Sequence, residues 1–349
     1  MIDGIIMEAI KTKASDIHLT VGLPPVLRIN GQLTHLGSTP LTPQDTVDLI
    51  KLMVSESEFN KFLSKGELDA SYSYKDMVRF RLNLYKQKGH CAVAMRTVSD
   101  KIPSMEELRL PPILRELSKK RRGLILVTGP TGSGKSTTLA SMVDYMNQTR
   151  GEHIITIEDP IEYLHKHRSS IVHQRELGKD TLTFGNALRA ALREDPDIIL
   201  VGEMRDLDTI ATALTAAETG HLVLSTLHTI GAAKTIDRIV DVFPPHQQQQ
   251  IKTQLASVLE AVISQQLMPR ADKSGRIVAL EVMLATPAIR NLIREGKTHQ
   301  IQTIIQTNSG MGMKTMDSWI AGLYRHGAID MDTAIKYAID IDEIKRDLY

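Results

Sequence analysis

The stretch that decides the fold reads LILVTGPTGSGKS over residues 124–136. Its first part is an apolar run typical of a buried strand, and its last part matches the pattern G-x-x-x-x-G-K-[ST]. A helical run through Leu139, Met142, Val143 and Met146 follows. A glycine-rich turn between strand and helix points successive backbone N–H groups at one phosphate, and the helix N-terminus adds positive charge. The sequence therefore predicts a phosphate-binding loop.

The predicted ligand is ATP with Mg²⁺. We expect Lys135 to reach the β- and γ-phosphates, and the Ser136 hydroxyl to complete the coordination of Mg²⁺. A glycine-rich turn without a ligand is the alternative, but both the motif and its strand-to-helix context favour binding. The predicted nucleotide-binding residues are Gly129, Pro130, Thr131, Gly132, Ser133, Gly134, Lys135, Ser136 and Thr137.

Short apolar runs followed by helical segments continue beyond the loop. Such alternation predicts an α/β fold with a mostly parallel sheet covered on both faces. After Pro244 the pattern predicts mostly helix to Tyr349. The predicted strands of this sheet are residues 124–128, 154–157, 198–201 and 222–225.

The chain before the loop has a different texture, typical of a small α+β module over residues 1–98. Asn30-Gly31 is suited to a tight hairpin turn, and Thr42 with Pro43 marks a helix start, with Val47, Ile50 and Leu52 on its apolar side. Prolines mark residues 99–112 as a linker, so the second domain is predicted over residues 113–349. The predicted strands of the module are residues 16–20, 26–29, 32–36, 78–84 and 92–98.

Composition excludes several classes of protein. The 349 residues include 42 basic and 41 acidic side chains, so no global field favours nucleic acid. The single cysteine, Cys91, excludes an intramolecular disulfide and a cysteine-based zinc cluster, and it fits a reducing compartment. No apolar run approaches the ~20 residues needed to cross a bilayer, and no secretory signal is evident at the N-terminus. These observations favour a cytoplasmic location without direct membrane insertion.

Hydrolysis requires carboxylates at the carboxyl ends of strands beside the loop. Glu203 ends one predicted strand and is the expected catalytic base, although Gly202 stands where many P-loop enzymes carry an aspartate. Glu158, Asp159 and Glu162 end another strand and are expected to assist, Glu158 and Asp159 at the metal through water. An acidic loop that caps a helix or is simply solvated is the alternative for these three residues.

Histidines and arginines offer further candidates. His221 and His228 flank the predicted strand at 222–225, and we expect His228 to sense the γ-phosphate. The alternative is a pair of structural histidines bonded to the backbone; a metal pair lacks a suitably spaced third ligand. Arg81 and Arg96 lie on neighbouring predicted strands. In isolation, each arginine is better explained as part of a solvated face or a surface ion pair.

Several segments together resemble the secretion and pilus ATPases, and within them the branch that retracts pili. The resemblance covers nearly the whole chain. It implies a PAS-like N-terminal domain joined to a RecA-like ATPase domain, with ATP held between them. The segments that carry it are residues 14–19, 129–137, 156–163, 195–206, 221–229, 235–244 and 288–295.

The resemblance also implies a role for each motif. Lys135 lies in the Walker A loop, Glu162 ends the aspartate box, Glu203 lies in an atypical Walker B, and His228 ends the histidine box. This family shares the glycine that precedes the Walker B glutamate. Arg81 and Arg96 fall where the family places arginine fingers. Residues 288–295 resemble a segment that retraction motors need after ATP binding.

At the level of the assembly, the resemblance implies a motor that powers type IV pilus retraction and twitching motility. It implies a ring of six subunits at the cytoplasmic face of the inner membrane, acting on a PilC-like platform protein. Three alternatives stay open: a pilus-assembly or type II secretion ATPase, a ring-shaped nucleic-acid translocase, and a nucleotide-binding scaffold that does not hydrolyse ATP. Secretion ATPases typically carry a four-cysteine zinc insertion, which a chain with one cysteine lacks. The near-zero net charge and few aromatic residues argue against a groove for nucleic acid.

Overall fold

A computed structural model describes residues 1–29, 31–75, 77–98 and 101–348, and its contacts divide the chain into two compact units. The first unit comprises Met1–Lys101 with Glu162–Leu164, and the second comprises Ile102–Ile161 with His165–Tyr349. The predicted linker begins with Ser99 and Asp100, which lie outside the described residues.

Within its described residues, the first unit contains a six-stranded antiparallel sheet in the order β3-β2-β1-β6-β5-β4. Buried side chains of its helices and strands, such as Ile6, Ile17, Ile50, Phe62 and Phe80, form one core. The strands are β1 (Asp16–Leu19), β2 (Val26–Ile29), β3 (Gln32–His35), β4 (Glu67–Tyr74), β5 (Val78–Gln87) and β6 (His90–Val98). The helices are α1 (Ile2–Thr12), α2 (Pro43–Met53) and α3 (Glu56–Lys65).

The strands predicted for this unit are confirmed, and so is the helix start at Thr42. The Thr42 hydroxyl accepts the N–H of Asp45, whose carboxylate accepts the N–H of Thr42 in return, a capping box. The prediction that Leu52 faces the core is wrong: Leu52 is 63% exposed, and Met53 is buried in its place. Of the predicted hairpin turn, Asn30 lies outside the described residues.

Among the described residues, the second unit has a seven-stranded sheet in the order β13-β12-β7-β11-β10-β8-β9. All neighbouring pairs are parallel except β12 with β13, which confirms the predicted α/β class. The strands are β7 (Gly123–Thr128), β8 (His153–Glu158), β9 (Ile171–Glu176), β10 (Ile198–Val201), β11 (Leu222–Leu227), β12 (Leu259–Pro269) and β13 (Arg276–Leu284).

Helices cover both faces of this sheet. One core contains residues of α6 to α11, a second contains residues of α4 and α5, and a smaller cluster joins α12 to α14 with β12 and β13. None of the described helices has the length and apolar character needed to cross a membrane. The helices are α4 (Ile113–Leu117), α5 (Lys135–Thr149), α6 (Phe184–Ala191), α7 (Leu207–Glu218), α8 (Ala232–Asp241), α9 (Pro245–Val258), α10 (Pro287–Glu295), α11 (Ile301–Thr307), α12 (Met316–Arg325), α13 (Met331–Tyr337) and α14 (Ile341–Leu348).

The prediction of mostly helix beyond Pro244 is wrong over β12 and β13. β12 is buried on both faces, so its sequence is a mainly apolar run, interrupted by Ser264–Gln266, without the alternation that identifies a half-exposed strand. A run of this kind does not distinguish a buried strand from a buried helix. The edge strand β9 was also not predicted.

Strand order determines where the candidate residues meet. β7, β11, β10 and β8 are neighbours and parallel, so their carboxyl ends lie along one edge of the sheet. The glycine-rich loop follows β7, His228 follows β11 and Glu203 lies just after β10, while Glu158 is the last residue of β8. In parallel α/β sheets, ligands bind at this edge.

Candidate active site

The predicted phosphate loop follows β7 and leads into α5. Gly129 has φ 141° and Gly134 has φ 89°, both in the region that favours glycine. A Cβ atom at Gly129 would overlap the carbonyl oxygen of Gln265, and one at Gly134 would lie 2.8 Å from Gln265 Nε2. These two positions therefore accept only glycine, for reasons of both backbone angle and space.

Lys135 begins α5, and its ammonium turns back over the loop. Its Nζ atom donates to the carbonyl oxygens of Gly129 at 2.8 Å and Pro130 at 3.0 Å. The first N–H groups of a helix have no intrahelical acceptor, so Lys135, Ser136 and Thr137 present amides at this end of α5. An ammonium group and outward-pointing amides beside one turn suit a polyphosphate.

Gln265 on β12 supports the loop from behind, and its role was not predicted from the sequence. Its side-chain Nε2 atom donates to the Ser133 carbonyl at 2.6 Å, and its Oε1 atom accepts from the Thr138 hydroxyl at 2.8 Å. One buried amide thus ties the loop to the first turn of α5. The available signal is the polar run Ser264–Gln266 inside an apolar segment, which is unusual for a buried strand.

Glu203 follows β10, and the preceding glycine allows the strands to approach closely. Gly202 donates its N–H to the Ile157 carbonyl at 2.8 Å and accepts the Thr226 hydroxyl at 2.6 Å. A Cβ atom at Gly202 would lie 3.2 Å from the Ile157 oxygen. Close packing between strand ends therefore explains why glycine, and not aspartate, precedes Glu203.

Glu203 lies next to His228, as two candidates on neighbouring strand ends should. The distance from Glu203 Oε2 to His228 Nε2 is 3.3 Å, and Arg205 Nε lies 2.7 Å from the same oxygen. The Glu203 side chain is 15% exposed. A carboxylate that is shielded from solvent and held in place by neighbouring nitrogen atoms can bind and orient a water molecule. The contact with Arg205 was not predicted from the sequence.

His221 differs from His228 in its surroundings. Its Nδ1 atom lies 2.9 Å from the carbonyl oxygen of Ala216 and 3.2 Å from the Thr219 hydroxyl. These contacts are with the last turn of α7 and the residue that follows it. Of the predicted pair, His221 is therefore structural.

Three threonines connect the His228 loop with the start of the phosphate loop. The Thr229 and Thr235 hydroxyls are 2.7 Å apart, and the Thr235 hydroxyl lies 3.5 Å from that of Thr128. Thr128 ends β7 directly before Gly129. The two loops are thus joined by buried or partly buried hydroxyl groups.

The acidic candidates at the end of β8 have distinct surroundings. Glu158 Oε1 accepts hydrogen bonds from the Thr156 hydroxyl at 2.7 Å and from Gln174 Nε2 at 3.1 Å, while Asp159 is exposed. No group of three or more His, Cys, Asp or Glu side chains able to hold a metal occurs in the described ranges.

The remaining candidates belong to the first unit. Arg81 on β5 and Arg96 on β6 are direct cross-strand partners, and both are exposed. Arg96 Nε donates to Asp16 Oδ1 at 2.9 Å. Burial alone would raise the pKa of Asp16, but hydrogen bonds from Arg96 and Ser15 hold that pKa below its ordinary value. Glu162 is exposed and groups with this unit, so its role beside Glu203 stays a prediction.

Comparison with known proteins places these features in context. The family model described as "Type II/IV secretion system protein" matches residues 1–322. The type IV pilus retractation ATPase PilT of Pseudomonas aeruginosa is 49% identical over 93% of this chain and 94% of its own length. The twitching motility protein of Neisseria gonorrhoeae is 46% identical over 90% of this chain and 84% of its own.

A solved structure agrees with these relatives. The crystal structure of the pilus retraction motor PilT with bound ADP is 51% identical to this chain, with a TM-score of 0.92 over 98% of both chains. The chain therefore shares its fold with a relative whose structure contains bound ADP.

Proposed function

We propose that this chain, which belongs to the type II/IV secretion system protein family and is an ATP hydrolase, is the motor that retracts type IV pili. The observation that carries the proposal is the contact between Glu203 and His228 at the edge of the sheet that also carries the glycine-rich loop. Relatives named for pilus retraction and twitching motility support the choice of cargo.

On ATP binding, Lys135 would exchange its loop carbonyls for the β- and γ-phosphates. Glu203, assisted by Glu162, would orient the water that attacks the γ-phosphorus while the bond to the β-phosphate oxygen breaks. Mg²⁺ would be held by Ser136 and the phosphates, with Glu158 and Asp159 acting through water, and would neutralise phosphate charge.

Two further roles belong to side chains that would contact the phosphates during hydrolysis. His228 would hydrogen-bond the γ-phosphate and, through its contact with Glu203, respond to loss of that phosphate. Arg81 and Arg96 would neutralise charge in the transition state, from the same subunit or from a neighbour. Because Arg96 is bound to Asp16, that ion pair must weaken before Arg96 can act.

At the level of the assembly, we propose a ring of six copies at the cytoplasmic face of the inner membrane. Sequential ATP turnover in the ring would move a PilC-like platform protein and withdraw pilin subunits into the bilayer. We retain the division into residues 1–98, a linker at 99–112 and residues 113–349 as the domain organisation of each subunit.

Deleting the gene and imaging labelled pili on living cells tests this function. Surface pili should persist without shortening, wild-type protein should restore shortening, and Glu203→Gln protein at the same cellular level should not. Loss of surface pili on deletion would instead favour the pilus-assembly alternative, and a secretion defect with normal pilus shortening would favour the type II secretion alternative. Stimulation of ATP hydrolysis by DNA would favour a translocase.

A further inference from the structure

Two buried polar side chains lie opposite each other where β12 pairs with β13. The Ser264 hydroxyl accepts the N–H of Gly231 at 2.8 Å, and Glu281 Oε1 accepts the N–H of Ala232 at 2.8 Å. Ala232 is the first residue of α8, which begins shortly after His228. This cross-strand pair therefore fixes the end of the loop that carries His228.

Glu281 also binds a second helix. Hydrogen bonding from the backbone of Met316, the first residue of α12, and from the Gln302 side chain on α11 lowers the pKa of this carboxylate and so opposes the effect of burial. A negative charge is favourable at a helix N-terminus, where unpaired N–H groups point outward. One carboxylate thus joins the starts of α8 and α12.

Burial makes a carboxylate costly at this position. Burial raises the pKa of Glu281, and no ion pair of Glu281 lies within the part of the chain that the structure describes. Asp317 on α12 adds a like charge nearby. Removing a carboxylate from water is costly, and an apolar side chain of similar size would avoid that cost.

We propose that Glu281 is a positioning residue for ATP hydrolysis, which holds the His228 loop beside Glu203 through Ala232 and links it to α12 through Met316. The proposal rests on ATP hydrolysis and on the proposed role of His228, and it does not depend on pilus retraction. Movement of His228 after phosphate loss would be transmitted through Glu281 to the C-terminal helices.

The test compares Glu281→Ala, Glu281→Gln and a matched control, Asp317→Asn. Asp317 is also buried and lies on α12, but it accepts the N–H groups of Ile339 and Asp340, far along the chain from α8. For each protein we would measure kcat and KM for ATP, the unfolding temperature, and amide hydrogen exchange over residues 229–236.

Glu281→Ala should lower kcat about tenfold or more with KM changed less than about threefold, because positioning is lost and phosphate binding is kept. Exchange over residues 229–236 should become faster. Glu281→Gln retains one acceptor oxygen and should recover part of both effects. Asp317→Asn should lower the unfolding temperature but leave kcat within about twofold of wild type.

Wild-type kcat and normal exchange over residues 229–236 in both Glu281 variants would overturn the proposal. It would also be overturned if Asp317→Asn lowered kcat as much as Glu281→Gln, since general loosening of the C-terminal helices would then explain the loss. If Glu281→Ala does not fold, the comparison of Glu281→Gln with Asp317→Asn decides. Absence of hydrolysis by the wild type would point to the catalytic site and not to Glu281.

Discussion

The Nε2 atom of His228 lies 3.3 Å from the Oε2 atom of Glu203. The two residues follow the neighbouring parallel strands β11 and β10, and Arg205 reaches the same carboxylate oxygen. Each of the pair was predicted separately, one as a sensor and one as a base. Because the two side chains are in contact, a change in the position or charge of one directly alters the surroundings of the other.

Replacing His228 with alanine should reduce ATP turnover more than ATP binding. Glu203 would lose its contact with His228 and keep its contact with Arg205, so we expect kcat to fall about 10- to 100-fold. The measurement is steady-state phosphate release together with equilibrium nucleotide binding. His221→Ala is the control, because His221 contacts α7 and should leave kcat nearly unchanged. Equal losses in the two variants would argue against a special role for His228.

Arg81 and Arg96 should each be required for turnover. Arginines that neutralise charge in the transition state account for a large part of the rate enhancement in phosphoryl transfer. Arg81→Ala and Arg96→Ala should therefore lower kcat by about 100-fold or more. Arg28→Ala is the matched control, since Arg28 lies 3.7 Å from the same Asp16 carboxylate that binds Arg96. If Arg28→Ala is as damaging as Arg96→Ala, the arginines act by supporting Asp16 and not at the phosphates.

Gln265→Ala should weaken nucleotide binding, because the Gln265 side chain holds the phosphate loop in place from behind. The variant leaves the Ser133 carbonyl and the Thr138 hydroxyl without their partner, and such a loss costs about 1–3 kcal/mol of stability or binding. The adjacent residue provides the control: Gln266 points to the other side of β12 and donates to the Tyr337 carbonyl. Titration of ATP binding should show a weaker affinity for Gln265→Ala than for Gln266→Ala. Equal affinities would show that Gln265 does not support the loop.

Sequence and structure agree best where a motif is local. The glycine-rich loop, the strand before it and the carboxylate after β10 were all predicted, because each lies in one short segment with its own pattern. Gln265, Ser264 and Glu281 were not, since their function depends on contacts with residues far away in the chain. Their segment was also interpreted as helix, so the side that each residue faces was unknown.

The first unit also contains a long-range contact that could not be predicted from the sequence. Alternation along β5 predicted a strand that places Arg81 on its exposed face. The partner of Arg96, however, is Asp16, which lies 80 positions earlier in the chain. A single sequence contains no signal for such a pair, whereas the register of β1 with β6 places the two residues side by side.

Phosphate release from magnesium–ATP by the purified wild-type protein and by Glu203→Gln tests the central claim most directly. Wild-type protein should release phosphate, and chelation of Mg²⁺ should stop the reaction. Glu203→Gln should bind ATP with nearly wild-type affinity but turn over at least about 100-fold more slowly, because an amide is a poor base for orienting water. Wild-type turnover by Glu203→Gln would contradict the assignment of Glu203 as the catalytic base.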